Sequence, residues 1–557
     1  VGACAWPAVG QEIWQIQGSG MISPYRGQQV STTGNIVTAA GSGVFFIQTP
    51  TNRSDGDPWT SDGVYVEDPG GPVVAVGDRV AVSGTVVEHY GQTQIGGDVS
   101  VVIASSGHQL PDPVELDAET PTPHQPWPET ELERFEGMRI NVANGFVTGP
   151  TDEYGDAQIT ASGQRAFREP GIEYPGLPGL PVWDGNPEVF ELDPDGVGED
   201  HAEIAAGSRF SARGVLAFAF GSYQLWPTKL EVWHSPELSF AAMENASRVL
   251  SIASQNLERL ARTGGDLPFR DRLGKLSLQV REVLGGADIV AVQEVDSLAV
   301  LEDLADRIAA DEEGLDYTAH LIEGNDPSGI DVGFLTRQTV DPRRVLQIGA
   351  DVAFSWDGSL LFDRPPLVLD AMVKGFAVTV VVVHQKSLGG VDDPGSHGER
   401  VRRKRYEQSE WLARWLQDRL TESPEDLLAV IGDFNAFEFS DGYVDVMGQI
   451  TGRPDPAGAL LPVTDVVDPP LDNAVFAVPA PRRYSYIYRG SAEVLDHVVV
   501  SRALAPLVRD VIYSRGNSDA PASAAMLPNT ALRSSDHDGL VVYFGARVRS
   551  PGGRRQP

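Results

Sequence analysis

Residues 430–439 read VIGDFNAFEF: an apolar, strand-like approach, a glycine, then Asp433 and Asn435 two positions apart. Asp and Asn are both depleted in strands, so propensity alone does not put them at the end of a hydrophobic run. Either the pair makes a turn, which Asp, Asn and Gly do well, or it faces a site at the end of a sheet. The same juxtaposition recurs along the second half of the chain. SIASQNL (251–257) delivers Asn256, DIVAVQEV (288–295) delivers Glu294, and TVVVVHQKS (379–387) delivers His384. AEVLDHVVVS (492–501) contains Asp496, and RSSDHDGLVVYF (533–544) contains Asp536 and His537. Each taken singly reads as a turn residue or a satisfied structural histidine. Repeated at one kind of position, next to apolar strands, they read as one site.

The chemistry of that site is hard. Carboxylates and amide oxygens without cysteine suit Mg²⁺, Mn²⁺ or Ca²⁺ rather than a structural zinc. Two histidines beside carboxylates suit proton transfer near neutral pH. Metal, His and Asp together, with no serine-nucleophile motif, point to activated water attacking a phosphate.

Outward from these motifs, the chain from about Val249 alternates strands with helices. ADIVAVQEV, IDVGFLT and AVTVVVVHQKS read as strands. RDRLGKLSLQVREVL, LEDLADRIAA and RRKRYEQSEWLARWLQDRL carry helical spacing. Interleaving of this kind predicts α/β layers. The basic run Arg400–Arg405 opens the longest of these helices and is read as a solvated face. The first 235 residues differ: short β-like runs separated by Gly and Pro predict an all-β barrel or sandwich. They also carry an internal duplication. GDRVAVSGTVVEHYGQTQI (77–95) aligns without gaps on GSRFSARGVLAFAFGSYQL (207–225), and GQQVSTTGNIVT (27–38) resembles GMRINVANGFVT (137–148). Two related β modules joined by the Pro-rich LPDPVELDAETPTPHQPWPE (110–129) are therefore expected, the joining stretch being extended by composition.

Among 557 residues, 78 acids face 43 bases, for a net charge of −35. Such a surface does not attract nucleic acid globally, so a polyanionic substrate needs a local groove or metal ions. Only five bases are lysine. Cys4 is the only cysteine, which excludes an internal disulfide and a cysteine metal cluster. No apolar run reaches the ~18 residues of a membrane span. The chain starts at Val1, as if a leader had been removed or left out, and VGAC resembles the end of a lipoprotein signal with Cys4 as the acylated residue.

In order, QEV, GDFNA, LDHVVVS and SDHDGLVV resemble the DNase I-like endonuclease/exonuclease/phosphatase superfamily over roughly 248–545. EGNDPSGIDVGFLTR (323–337), DRPPL (363–367) and YSYIYRGSAEVLDH (484–497) resemble its large extracellular bacterial nucleases, which carry OB-fold-like modules ahead of the catalytic domain. IWQIQGSGMISPYRGQQV (13–30) matches that arrangement. The resemblance implies that Asn256 and Glu294 hold the principal metal ion, with Asp536 completing its surroundings. It implies that His384 contacts the scissile phosphate and serves as acid toward the leaving oxygen. Asp433 would position or deprotonate the attacking water, Asn435 would steady the phosphate, and Asp496 would orient His537, a general base or phosphate-stabilising partner. Asn325, Asp331 and Arg364 are implied substrate contacts. Val383 and Gln385 depart from the family, where Asn often precedes the histidine and Leu or Phe follows it.

The expected architecture is a multi-domain α+β and α/β chain. It comprises an OB-like β-barrel module (1–109), a linker (110–130), a second OB-like module (131–240), a four-layer DNase I-like α/β sandwich (248–545) and a basic tail (546–557). The expected function is a secreted, monomeric nuclease hydrolysing DNA, and RNA as a further substrate, with Mg²⁺ or Mn²⁺ at the site and Ca²⁺ in a structural role. Its location is extracellular or periplasmic, with Cys4 as a lipid anchor. The alternatives are a phosphomonoesterase or other phosphodiesterase of the same fold, and a nucleic-acid-binding surface protein with a degenerate catalytic domain. Residues 1–235 hold none of the proposed catalytic groups and are expected to be dispensable for chemistry but not for handling substrate.

Overall fold

The structure, a computed structural model, describes residues 10–71, 73–126, 130–197, 202–243 and 249–545. Cys4 and the basic tail lie outside the described residues. The chain divides into two compact units. One takes the chain up to Phe167 with Asp184–Pro236 and Arg489–Ser491; the other takes Arg168–Trp183, Glu237–Tyr488 and the chain from Ala492 onward.

The first unit is all β. Strands Gln29–Ala40, Val44–Gln48, Gly63–Glu67, Gln92–Ser105 and Arg79–His89 pair in that order into a closed five-stranded barrel. The second half of the unit is a six-stranded sheet in which Arg209–Ala219 pairs with both Ser222–His234 and Arg139–Val147. The duplicated sequences make the same hairpin twice. Tyr90 (φ 51°) and Gly91 (φ 103°) turn one, Phe220 (φ 52°) and Gly221 (φ 91°) the other. Positive φ at both central residues is the two-residue turn whose twist matches paired strands. The aligned glycines Gly84 and Gly214 fall at matching register shifts, and a Cβ at Gly214 would lie 2.0 Å from the Trp226 carbonyl oxygen. Part of the stretch expected to be a linker is ordered differently: Val114–Leu116 pairs in parallel with Arg139–Val147.

The second unit contains two six-stranded sheets. One runs Tyr317–Leu321, Asp331–Arg337, Ile289–Val295, Leu250–Leu260, Leu540–Phe544, Val508–Tyr513; the other Val340–Gln347, Leu367–Val373, Phe376–His384, Leu427–Asp433, Asp496–Val500, Asp472–Asn473. Ile252, Ala291, Phe334 and Val542 of the first pack in one cluster with Val380, Val382, Ile431 and Val498 of the second. Alternate residues point the other way. Val381, Val383, Leu428 and Val430 meet Leu412 and Leu416 of the Gly395–Glu422 helix, and Val290 and Val292 meet the helices Phe269–Leu278 and Leu298–Asp311. Burial on both faces explains why the strands read as unbroken apolar runs rather than alternating ones. The result is helix, sheet, sheet, helix.

The basic run at the start of the long helix is not a solvated face throughout. Lys404 and Arg405 are buried, Lys404 bonding both Asp363 carboxylate oxygens at 2.8 Å and Arg405 reaching Asp441 at 2.9 Å. An amphipathic helix needs one inward face; here the first turns of that face carry charge that is satisfied at the strand ends.

Candidate active site

Three candidate residues form one rung of the second sheet. His384 is register partner of Asp433 in a parallel pair, and Asp433 of Asp496 in an antiparallel one. Three motifs separated by up to 112 positions in sequence thus end side by side. Gly432 permits the rung: its φ is 140°, and a Cβ there would lie 2.2 Å from the Val383 carbonyl oxygen.

The first sheet supplies the facing groups. Glu294 has φ 61° and sits at a register shift between Gln293 and Val295, a bulge of the kind that re-aims a side chain. Asn256 Nδ2 lies 3.2 Å from Glu294 Oε1 and 3.3 Å from Asp433 Oδ2, bridging the two sheets. His384 Nε2 lies 3.7 Å from Glu294 Oε1 and 3.5 Å from Asp433 Oδ2. His537 Nδ1 pairs with Asp496 Oδ2 at 2.7 Å, and its Nε2 faces Asp433 Oδ2 at 3.9 Å. Glu258, Arg259 and Asn435, like Glu294, have φ between 48° and 61°. Non-glycine residues in the left-handed region cost of order 1–3 kcal/mol each and cluster at functional sites.

The electrostatics separate the two histidines. Burial, then Arg364, then His537, hold His384 well below the ordinary histidine range, and its Nδ1 has no hydrogen-bond partner among the described residues. Burial opposes the charge on His537 too, but Asp496, then Asp433, outweigh it and raise His537 well above that range. Asp433 is pushed up to about 7 by burial, against the pull of His537, with Asp496 and Glu294 adding to the rise.

The remaining sequence candidates take other positions. Asn435 donates its backbone N–H to Asp433 Oδ1 (2.8 Å) and its Nδ2 to the Gln385 carbonyl (3.2 Å). Asp536 is half-buried beside His537; its charge acts on Glu258 and Tyr486, and its carboxylate accepts from Ser535 Oγ at 3.4 Å. Arg364 is spent on the scaffold, donating to the carbonyls of His384 (3.3 Å) and Gln385 (3.0 Å) and to Asp326 (3.2 Å). Asn325 ties the Ala350 and Phe362 carbonyls, and Asp331 accepts from the Gly324 N–H at 2.7 Å; both brace loops. Sequence reasoning missed Arg405, whose Nη1 donates to the Lys386 and Asn435 carbonyls and so holds both strand-end loops. It also missed Tyr486, whose ring lies 4.9 Å from that of His537. The basic run and the YSYIY stretch were the available signals.

Glu294 and Asp433 beside the Asn256 amide form a hard-oxygen donor set, with the Asn256 Oδ1 accepting from the Glu258 N–H at 2.9 Å. Among the described residues no group of three or more His, Cys, Asp or Glu is arranged to hold a metal by itself. Mg²⁺ typically keeps several waters and binds one or two carboxylates plus substrate phosphate; the donors fit an ion of that kind.

Acids, an amide and two histidines from the two sheets and the adjoining loop thus converge on one candidate site. Residues 254–537 match the Endonuclease/Exonuclease/phosphatase family, and residues 131–235 match a domain of unknown function (DUF8508). The chain belongs to the Endonuclease/Exonuclease/phosphatase family, whose members are hydrolases acting on phosphodiester bonds. No curated protein sequence matches the chain. Similar solved structures include truncated Caenorhabditis elegans TDP2 (17% identity, 56% of this chain and 100% of that one, TM-score 0.36). The human Nocturnin catalytic domain with bound sulfate is similar at 17% identity (54% and 94%, TM-score 0.36). An endonuclease/exonuclease/phosphatase from Bacteroides vulgatus is similar at 15% (53% and 98%, TM-score 0.35).

Proposed function

We propose that this chain is a secreted, divalent-metal-dependent nuclease that hydrolyses phosphodiester bonds of DNA. The observation that carries the reading is the convergence of Asn256, Glu294, His384, Asp433 and the Asp496–His537 pair from two sheets onto one point. Glu294 and Asn256 would hold Mg²⁺ or Mn²⁺, which when bound supplies Lewis-acid polarisation of the phosphoryl oxygens. Asp433, facing both histidines, is the group placed to orient water and accept its proton as the new P–O bond forms. Asp496 fixes the ring of His537 so that Nε2 points at the reacting centre. His537 there offers positive charge to the phosphate, and a proton to the leaving oxygen as the old P–O bond breaks. His384, held neutral, is better suited to hydrogen-bond a phosphate oxygen than to donate a proton, which moves the acid role from His384 to His537. Asn435 steadies the phosphate beside them. OB-type barrels commonly bind oligonucleotides or oligosaccharides, and substrate handling is the role we assign to the first unit.

The test is side-by-side assay of supercoiled plasmid, linear DNA, RNA and p-nitrophenyl phosphate with Mg²⁺, Mn²⁺, Ca²⁺ and EDTA. Plasmid nicking that needs a divalent ion and exceeds monoester hydrolysis is expected. Nicking by verified metal-free protein in EDTA, or faster monoester turnover, would refute the proposal.

A further inference from the structure

Residues Arg168–Trp183 lie, in sequence, inside the second β module, yet they belong to the catalytic unit. Strand Ile172–Glu173 pairs in parallel with Val182–Trp183. Ile172 is buried in the core beside the long helix, so close to Gly442 that a Cβ there would lie 2.5 Å from the isoleucine side chain. The Arg168 N–H donates to the Ala492 carbonyl at 3.0 Å. The segment is therefore fixed against the strands that carry the site.

It completes a cleft of ≈ 370 Å³, within the ~300–1,000 Å³ of small-ligand sites. His537 and Asn435 line the cleft together with the rings of Tyr486 and Tyr488. Arg168 forms part of its wall, with its guanidinium 4.0 Å from the Trp183 ring centroid and 4.7 Å from that of Phe437. Tyr488 is 47% exposed, so a broad apolar face borders the opening. The cleft is also lined by Glu173, Asp392, Asp441 and Glu493, so a second phosphate would meet repulsion there. An uncharged aromatic ring with donors and acceptors on its edge would not. Glu493 is only 6% exposed. Burial raises its pKa to about 8, which leaves it able to donate as well as accept at neutral pH.

We infer that this cleft is a nucleobase subsite: it takes the unstacked base of one nucleotide flanking the scissile phosphate, with Tyr488 as the stacking surface, the Arg168 guanidinium packed between Trp183 and Phe437 as its fixed wall, and Glu493 at the base edge. Unstacked bases are held in this way on aromatic faces and guanidinium planes and read along their polar edges. The inference rests on the phosphodiesterase reading and deepens it. It makes Arg168–Trp183 specificity-determining, although that segment contributes nothing to the reacting centre.

The test uses the full chain and single-stranded DNA with one cleavable phosphodiester among nuclease-resistant linkages. The base immediately 5′ or 3′ of that bond is kept or replaced by an abasic tetrahydrofuran. Removing the base on one flank should lower kcat/KM about tenfold, as expected for one stacking contact. Tyr488→Ala should lower cleavage of the intact substrate by the same factor, leave the abasic substrate unchanged, and erase the difference between them. Equal rates with and without the base on both flanks, or a penalty that survives Tyr488→Ala, would overturn the subsite while leaving the phosphodiesterase reading standing. No cleavage of any substrate with Mg²⁺ or Mn²⁺ would overturn both.

Discussion

Asp496→Asn is the sharpest perturbation of the proposed chemistry, because it preserves shape and removes one charge. In the structure Asp496 Oδ2 and His537 Nδ1 are 2.7 Å apart, and both residues are buried. The carboxylate is the largest influence raising the affinity of that ring for a proton, and it also fixes which nitrogen faces Asp433. A charge-assisted hydrogen bond of this kind is worth ~1.5–3 kcal/mol. Loss of a positioned acid–base group typically costs ~10²–10⁴ in rate, or ~3–5 kcal/mol of barrier. His537→Ala should show the full loss, and Asp496→Asn most of it. If the two act as a unit, the double mutant should be no slower than His537→Ala, as expected for groups that depend on each other.

The assay is single-turnover nicking of supercoiled plasmid at saturating Mg²⁺, with thermal melting to confirm that each variant is folded. Multiplicative losses in the double mutant would refute the pairing. So would Asp496→Asn activity within about threefold of wild type.

Three other outcomes follow from the same geometry. Glu294→Gln should lose activity that excess Mg²⁺ or Mn²⁺ partly restores in a metal titration, whereas His384→Ala should stay impaired at every metal concentration; rescue of His384→Ala would mean the histidine serves the metal. In the first unit, Glu133 is raised from 4.5 to about 7 by burial and neighbouring Glu88, although Tyr223 donates to it. A carboxyl raised on folding stabilises fully below its unfolded pKa and loses that contribution as pH climbs through about 7, here on the order of 3 kcal/mol. Glu133→Gln should therefore gain thermal stability relative to wild type between pH 5 and pH 8, and parallel melting profiles would contradict this. A chain starting at Ala242 lacks Arg168–Trp183 and the buried Ile172, whose side chain alone is worth ~1.5–3 kcal/mol; its melting temperature and kcat/KM should both fall, and equality with the full chain would show the segment to be idle.

The catalytic unit was legible because its apolar runs end where its polar residues begin. A strand buried on both faces favours apolar residues along its length, so Asn256, Glu294, His384 and Asp433 stand out against the apolar runs that precede them without knowledge of pairing. The duplicated hairpins were legible for another reason. Their shared glycines answer backbone requirements, a register shift at Gly84 and Gly214 and a left-handed turn residue at Gly91 and Gly221, that recur whenever the hairpin is built. Asn325, Asp331 and Arg364 carried the right chemistry, but a single sequence does not say whether a polar group faces a substrate or its own backbone. All three bond the protein itself.

The dispensability for chemistry expected of residues 1–235 does not describe what that stretch contributes to the fold. It rests on the absence of the proposed catalytic groups from that stretch, a statement about chemistry that does not extend to structure. Arg168–Trp183 carries no acid–base or metal-binding group at the reacting centre, yet it buries Ile172 in the catalytic core and sets Arg168 and Trp183 in the cleft beside His537. Arg405 makes the same point from the other direction. Its place in a run of bases suggested solvent, but burial with three hydrogen bonds to Lys386, Asn435 and Asp441 makes it a brace for the loops bearing the site. A buried charge is tolerated only when it is paired and hydrogen-bonded, and partners that come from distant strands leave no periodic trace in sequence. The candidate groups lie at or near strand ends, beside apolar runs that mark them in the sequence. The groups that hold them in place are set by tertiary contacts, and only the folded chain brings those partners together.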